Sequence, residues 1–421
     1  MKSNKFQPSP FWGSVVSVLT GTAIAQAIPL IGSLVIARQY IPAEFGVFAM
    51  WLGIVSILAV ILTGRFETSL AIEPDGEPRR LAVFATLVTI LLISLICLGL
   101  LVTLYLLGLF DAVPWLDSLP LAMVMALALV PAAIVIAFSE TWQSWAAAEG
   151  EYRKLSILRI TQTLAIVSLQ ILAGTLFPSA VSLAISHGLG VLISLVVAYK
   201  ILPLGKFPNE PVAVVLNFWK HHSKFPRLSL PADVISTAAG QMPILIVASK
   251  FGSEIAGLLA MTMKVLGAPI GLLGRAVLDV FKRHASSSFR ERGECRSEYV
   301  KTFKALMIAS VVFSIVMVFL SEPLFAFAFG ENWRLSGTIA IWLLPLFALR
   351  FVASPLSYMV YIAGKQHIDL AWQVALLCVT AVSLSLPYSY SAALQLYGVG
   401  CSVLYVCYLI MSYQFSLGAK K

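Results

Sequence analysis

Residues 223–281 read SKFPRLSLPADVISTAAGQMPILIVASKFGSEIAGLLAMTMKVLGAPIGLLGRAVLDVF. Two long apolar runs flank a short glycine-containing loop at Lys250–Glu254, a pattern that predicts two membrane-spanning helices. Lys264 and Arg275 lie inside the second run. Hydrocarbon makes charge expensive there, so an ionisable residue in a span points first to function. Their eleven-residue separation, about three turns of a regular helix, predicts that both face the same way. Gly267, Ala268, Gly271 and Gly274 follow that side and predict a shallow groove with cations along it. Such a groove suits an anionic ligand.

The rest of the chain has the same character. Of 421 residues, 59% are hydrophobic and only 12% charged, and the mean hydropathy is +0.90. That excludes a soluble globular protein. Phe6–Ala37 and Leu81–Phe110 lack charge for longer than the ~20 residues one span requires. Ile160–Tyr199 and Leu370–Ala419 each hold two spans, broken near Phe177-Pro178-Ser179 and Pro387–Ser391. Barrel strands would alternate polar and apolar residues, which these runs do not. The expected fold is therefore an all-α polytopic membrane protein with about twelve spans. They fall near 12–36, 45–66, 81–107, 119–140, 157–177, 180–200, 229–250, 255–280, 303–322, 336–360, 369–388 and 393–413. The short polar lead MKSNKFQPSP opens a run too long for a signal peptide, so the first span is expected to be retained.

Basic residues give the orientation. The loops on the side of the termini hold nearly all of them, whereas the opposite loops carry only Arg38, Lys250 and Arg334. The positive-inside rule then predicts cytoplasmic termini. The net charge of +9 is mostly this topology signal, and nucleic acid is a poor reading of it. The largest loops on that side are expected at Leu202–Leu228 and Lys282–Thr302.

The chain also repeats. Shifted by 211 residues, Ile36–Met50 lies over Val247–Met261. Ala37, Gly46, Ala49 and Met50 then meet Ala248, Gly257, Ala260 and Met261, and Tyr40 meets Phe251. The offset is half the chain and places span 1 over span 7. This predicts pseudo-symmetric six-helix halves at 1–201 and 229–421, joined by a connector at 202–228, with a transport cavity between them.

Other intramembrane charges extend the pattern. Arg350 lies mid-span without a local carboxylate, between Pro345 and Pro355, which could open its helix. Arg275 can pair with Asp279 at i+4. Arg65 and Glu67 end span 2 at a spacing that does not face on a helix, so each is expected to find its partner elsewhere. Asp233 reads as a helix-pairing carboxylate before a coupling-cation site, and Glu140 is similar. Arg159 suits an interface anchor, and Gln26 and His187 suit interhelical hydrogen bonds or a cavity lining. The five cysteines show no pairing or metal-binding spacing. No phosphate loop or catalytic triad occurs, so neither an enzyme nor a cofactor is expected.

Several stretches together resemble the Wzx-type polysaccharide flippases of the MOP exporter superfamily. They are TGTAIAQAIP, ARQYIPAEFGVFA, GRFETSLAIEP, QSWAAAEGEYRKLSILRITQ with Gln170, KFPRLSLPAD with KVLGAPIGLLGRAV, and FGENWRLSG with LPLFALRFVASPLSYMVYIAGKQ. The resemblance implies a MATE-like fold and a cationic cavity. It also implies translocation of undecaprenyl-diphosphate-linked oligosaccharide units for O-antigen, capsule or exopolysaccharide, beside a polysaccharide polymerase and a chain-length regulator. Arg38, Arg65, Glu67, Arg159 and Arg350 occupy motif positions, while Arg275 departs from the usual small or uncharged residue. A cation-coupled multidrug or small-solute antiporter is the alternative. A membrane-bound oligosaccharide polymerase or ligase fits less well, because it would need a large outer loop bearing Arg and His.

Overall fold

In hydrocarbon a peptide group has no water to bond, so an uncharged run satisfies its backbone by coiling. The computed structural model describes residues 10–107, 120–205 and 208–418, with side chains except at 10–22, 104–105, 120–127, 275–276, 279 and 366. No strand occurs among the described residues. The first six helices are α1 (Pro10–Gln39), α2 (Pro42–Thr63), α3 (Glu77–Leu106), α4 (Pro120–Ala148), α5 (Tyr152–Leu176) and α6 (Ala180–Ile201). A short helix α7 (Pro211–His221) occupies the connector, followed by α8 (Leu230–Phe251), α9 (Ser253–Pro269) and α10 (Arg275–Arg292). The chain ends with α11 (Arg296–Phe329), α12 (Arg334–Leu356), α13 (Met359–Ile362), α14 (Gln366–Ser385) and α15 (Tyr390–Ser416).

Ten helical stretches among the described residues are long and apolar enough to cross a bilayer. Helices α1 and α4, which contain undescribed side chains, occupy the two remaining expected spans. The protein is a multi-pass membrane protein.

Two expectations change here. The loop foreseen at Lys282–Thr302 is mostly helix: α10 runs on to Arg292, and α11 begins at Arg296. Side-chain bonds from Ser287 to Glu291 and from Arg292 to Ser288, both 2.8 Å, support the extension one turn apart. Gly293, at φ 75, then ends the helix in the left-handed conformation that favours glycine. The second change concerns the groove. A π-turn, Ile270–Gly274, separates α9 from α10 directly after Pro269. Proline lacks the N–H that a regular turn needs, and the wider turn absorbs the misfit. An inserted residue rotates the succeeding helix by about 100°, so the spacing no longer aligns Lys264 with Arg275. The side chains of Arg275 and Asp279, and hence their expected pairing, lie outside the described residues.

The chain divides into two compact units, one comprising 1–32 and 48–241, the other 33–47 and 242–421. In the first, α5 packs on α6 with Gly190 against Ile166, and Ser186 and Ser194 bond to the carbonyls of Leu169 and Leu158 at 3.2 and 3.1 Å. Small residues and hydroxyls are the means by which helices associate in lipid. In the second unit, Thr262 bonds to Ser336 O at 2.9 Å and Ser336 to Leu258 O at 3.1 Å, joining α9 to α12.

The segment 33–47 is riveted into that second unit. Fully buried Trp333 donates to Ala37 O at 2.6 Å and meets Phe45 edge-on, with ring centroids 5.6 Å apart. Here α2 crosses α9 backbone to backbone. A Cβ on Gly46 would overlap Ser253 O, and one on Gly257 would overlap Pro42 O. The 211-residue shift maps Pro42 onto Ser253 and Gly46 onto Gly257. Each glycine therefore meets the counterpart of what its own counterpart meets. That reciprocity is the mark of a two-fold relation between the repeated segments.

Candidate functional site

Helix α2 stops because Gly64 and Arg65 both turn left-handed, at φ 57 and 60. Arg65 is the one non-glycine residue at positive φ among those described, a conformation that costs energy and needs support. Thr63 Oγ1 supplies it by accepting from Arg65 N at 3.2 Å, and Thr68 Oγ1 donates to Arg65 O at 2.6 Å. A 3₁₀ turn, Phe66–Ala71, comes next. This break overturns the expectation that Arg65 and Glu67 face apart. Off the helix, Arg65 Nη1 donates to Glu67 Oε1 at 2.8 Å. Its Nε lies 2.7 Å from Asp233 Oδ2 on α8.

Glu67 is only 3% exposed, and its second oxygen, Oε2, has no hydrogen-bond partner among the described residues. Burial pushes its carboxyl above the ordinary value of 4.5, against the pull of the Arg65 guanidinium. A raised folded pKa means that the folded state keeps the proton to higher pH than the unfolded chain. The stability this group contributes is complete below 4.5 and lost as pH rises through the folded value. Melting temperatures in detergent across that window should therefore fall with rising pH, and Glu67→Gln should flatten the slope. An unchanged slope would remove Glu67 from the explanation.

Glu140, on α4, lies close enough to Glu67 and Arg65 to interact with both charges. One turn on, Gln143 donates to Gln162 Oε1 at 2.9 Å and accepts from Arg159 Nε at 3.3 Å. Ser139 donates to the same Gln162 oxygen at 3.0 Å. Arg159, the expected interface anchor, thus joins an α4–α5 network. His187 sits 6.0 Å from the Phe48 ring, and Gln26 is half-buried on α1. The first unit accordingly gathers three carboxyl groups, those of Glu67, Glu140 and Asp233, around the single guanidinium of Arg65. The grouping of carboxyls is not legible from spacing, because the 3₁₀ turn after α2 and the helices α4 and α8 bring it together.

The second unit presents cations instead. Lys264, half-buried on α9, and Arg350, exposed on α12, have no hydrogen bond or ion pair among the described residues. Arg350 Cζ lies 6.0 Å from the Phe347 ring centroid, at the edge of cation–π range. Arg38 is committed elsewhere, donating to Phe327 O at 2.7 Å in the last turn of α11, where helix carbonyls lack partners. Lys250 donates to Leu386 O beyond the end of α14. Among the described residues no His, Cys, Asp and Glu group could hold a metal ion. Chemically, the second unit offers bare cations to an anion, and the first offers carboxylates to a proton or cation.

A match to the polysaccharide biosynthesis protein family covers residues 35–337, most of the chain. The chain belongs to that family. This polysaccharide biosynthesis protein has the fold of MOP-superfamily transporters. It superposes on a lipid II flippase, MurJ, in an inward closed conformation, with a TM-score of 0.72, 14% identity and coverage of 95% of this chain and 90% of that one. An inward-facing multidrug-resistance MATE transporter of the MOP superfamily gives a TM-score of 0.68 at 14% identity, covering 93% of each chain. The MATE multidrug transporter DinF-BH gives 0.63 at 13% identity, covering 98% and 97%. No protein of curated function matches the sequence.

Proposed function

We propose that this polysaccharide biosynthesis protein is a flippase. Its cargo is an undecaprenyl-diphosphate-linked oligosaccharide repeat unit, moved by alternating access between leaflets of the bacterial inner membrane. The observation that carries this reading is the pair of cations, Lys264 and Arg350, in apolar helices without counter-ions among the described residues. A charge left bare in a membrane helix is costly. A diphosphate supplies the missing partner through charge-assisted hydrogen bonds. The lipid tail stays in the bilayer while the head group crosses. The fold's occurrence in a lipid II flippase supports the same class of cargo. The chain needs no cofactor and is not itself an enzyme. Its termini face the cytoplasm, where sugars are assembled on the carrier, and the delivered unit feeds a polymerase and its chain-length regulator for O-antigen, capsule or exopolysaccharide.

Lys264→Ala and Arg350→Ala should each abolish surface polysaccharide and cause lipid-linked glycan to accumulate, with membrane abundance of the protein unchanged. Normal polysaccharide in both variants would sink the proposal. The carboxylate cluster around Arg65 favours one second reading, a cation-coupled antiporter of the same fold. That reading predicts that Asp233→Asn abolishes dye efflux in cells and leaves lipid-linked glycan at its normal level.

A further inference from the structure

Helix α7 carries none of the candidate cargo residues, yet its placement is specific. It packs along α3 and the 3₁₀ turn before it: Phe218 meets Phe66 at 5.1 Å between ring centroids, and Trp219 Nε1 donates to Thr89 Oγ1 at 2.7 Å. At its end, His222 Nε2 meets Glu73 Oε1 at 2.5 Å. Thr89 lies eight residues past Leu81, where the uncharged part of α3 begins, so Trp219 sits about 12 Å along the apolar stretch. A helix anchored at that level lies at the membrane boundary, with lipid along one edge and water along the other.

Its remaining faces fit that position. Val215 and Phe218 are buried against the protein, while Val212 and Leu216, one turn apart, are 70% and 55% exposed. Beside this apolar edge come Lys220, Lys224 and Arg227, all exposed and with no carboxylate paired to them among the described residues. Leu228, 70% exposed, closes the row. An apolar stripe beside a basic one is the signature of a helix lying in a membrane interface, attracted by anionic head groups.

We propose that α7 and the basic turn after it, residues 211–228, form a docking surface for anionic phospholipid. Val212, Leu216 and Leu228 receive acyl chains, and Lys220, Lys224 and Arg227 hold head-group phosphates. The surface ties the connector to the leaflet it faces.

The test uses the full-length protein in nanodiscs of mixed phosphatidylglycerol and phosphatidylcholine, with retained lipids counted by native mass spectrometry. Wild type should retain phosphatidylglycerol preferentially. K220Q/K224Q/R227Q should lose that preference, by about fivefold for each charge removed. A preference that survives all three changes overturns the proposal. Depth gives a second arm that holds even if the triple variant does not fold. Spin labels at V212C and L216C, in a chain carrying C97S, C378S and C407S with buried Cys295 and Cys401 retained, should collide with oxygen. A label at N217C, on the exposed polar face, should collide with a water-soluble nickel complex. Equal access of the nickel complex to all three positions would also overturn it.

Discussion

Gly46→Leu and Gly257→Leu should each leave no folded protein in the membrane. Even alanine should be severe at either position. The atoms in the way are carbonyl oxygens, Ser253 O for one and Pro42 O for the other, and a backbone cannot step aside as a rotamer can. Relieving the overlap requires α2 and α9 to separate, which loosens the Trp333 bond to Ala37 and its ring contact with Phe45 in the same unit. Overpacking a core costs about 1–3 kcal/mol where side chains can adjust. A backbone crossing belongs at the upper end or beyond. Gly99→Ala and Gly188→Ala are the matched controls, since a Cβ at either meets open space within its helix. They should be neutral or stabilise by up to about 1 kcal/mol. Reciprocity sharpens the expectation. Because Gly46→Ala already forces the helices apart, Gly257→Ala should cost less in its background than alone. Thermal melts of the single and double variants in detergent measure this. Additive losses would mean that the two overlaps are relieved separately and that the crossing is not a shared one.

In the sequence that crossing is visible as little more than a coincidence of small residues at half-chain spacing. Long uncharged runs are legible because hydrocarbon imposes helix on them, so the number and order of spans can be read directly. The repeat is legible because Gly46 and Gly257 share a steric demand. The charged positions are legible as anomalies, but not as partners. Helical periodicity sets Arg65 and Glu67 on a helix that Gly64 and the left-handed Arg65 have already ended. The same rule puts Lys264 and Arg275 on one face, and the π-turn after Pro269 breaks it. Both errors arise where the backbone leaves the regular helix, which periodicity assumes. The pairing of Asp233 with Arg65 joins residues far apart in the chain, and no local pattern encodes it. The signal that marks both breaks is the same: a glycine or proline beside a charge, where the helix has reason to stop or widen.

Arg65→Ala should destabilise the protein far more than Glu67→Gln, and the double variant should recover most of the loss. Glu67 is nearly fully buried, and Arg65 donates to its carboxylate from 2.8 Å. Removing the guanidinium leaves a carboxylate in low dielectric beside Asp233 and Glu140, with no cation to offset it. Breaking a buried pair in this way typically costs about 3–5 kcal/mol. The 3₁₀ turn would lose its anchor at the same time, since the strained conformation of Arg65 is held partly by what its side chain reaches. Glu67→Gln removes the buried charge while keeping an oxygen for Nη1, and Arg65 still has Asp233, so its cost should be small. In Arg65→Ala/Glu67→Gln the uncompensated charge is gone, and the melting temperature should return most of the way to wild type. The coupling in this cycle separates electrostatics from packing, because a purely steric role for Arg65 would leave the double variant as unstable as Arg65→Ala. Export in the rescued double variant separates two roles for the cluster. If the cluster also serves a coupling proton or cation, the rescued double variant will fold, reach the membrane and still fail to export polysaccharide; if it serves structure alone, export will return with the melting temperature.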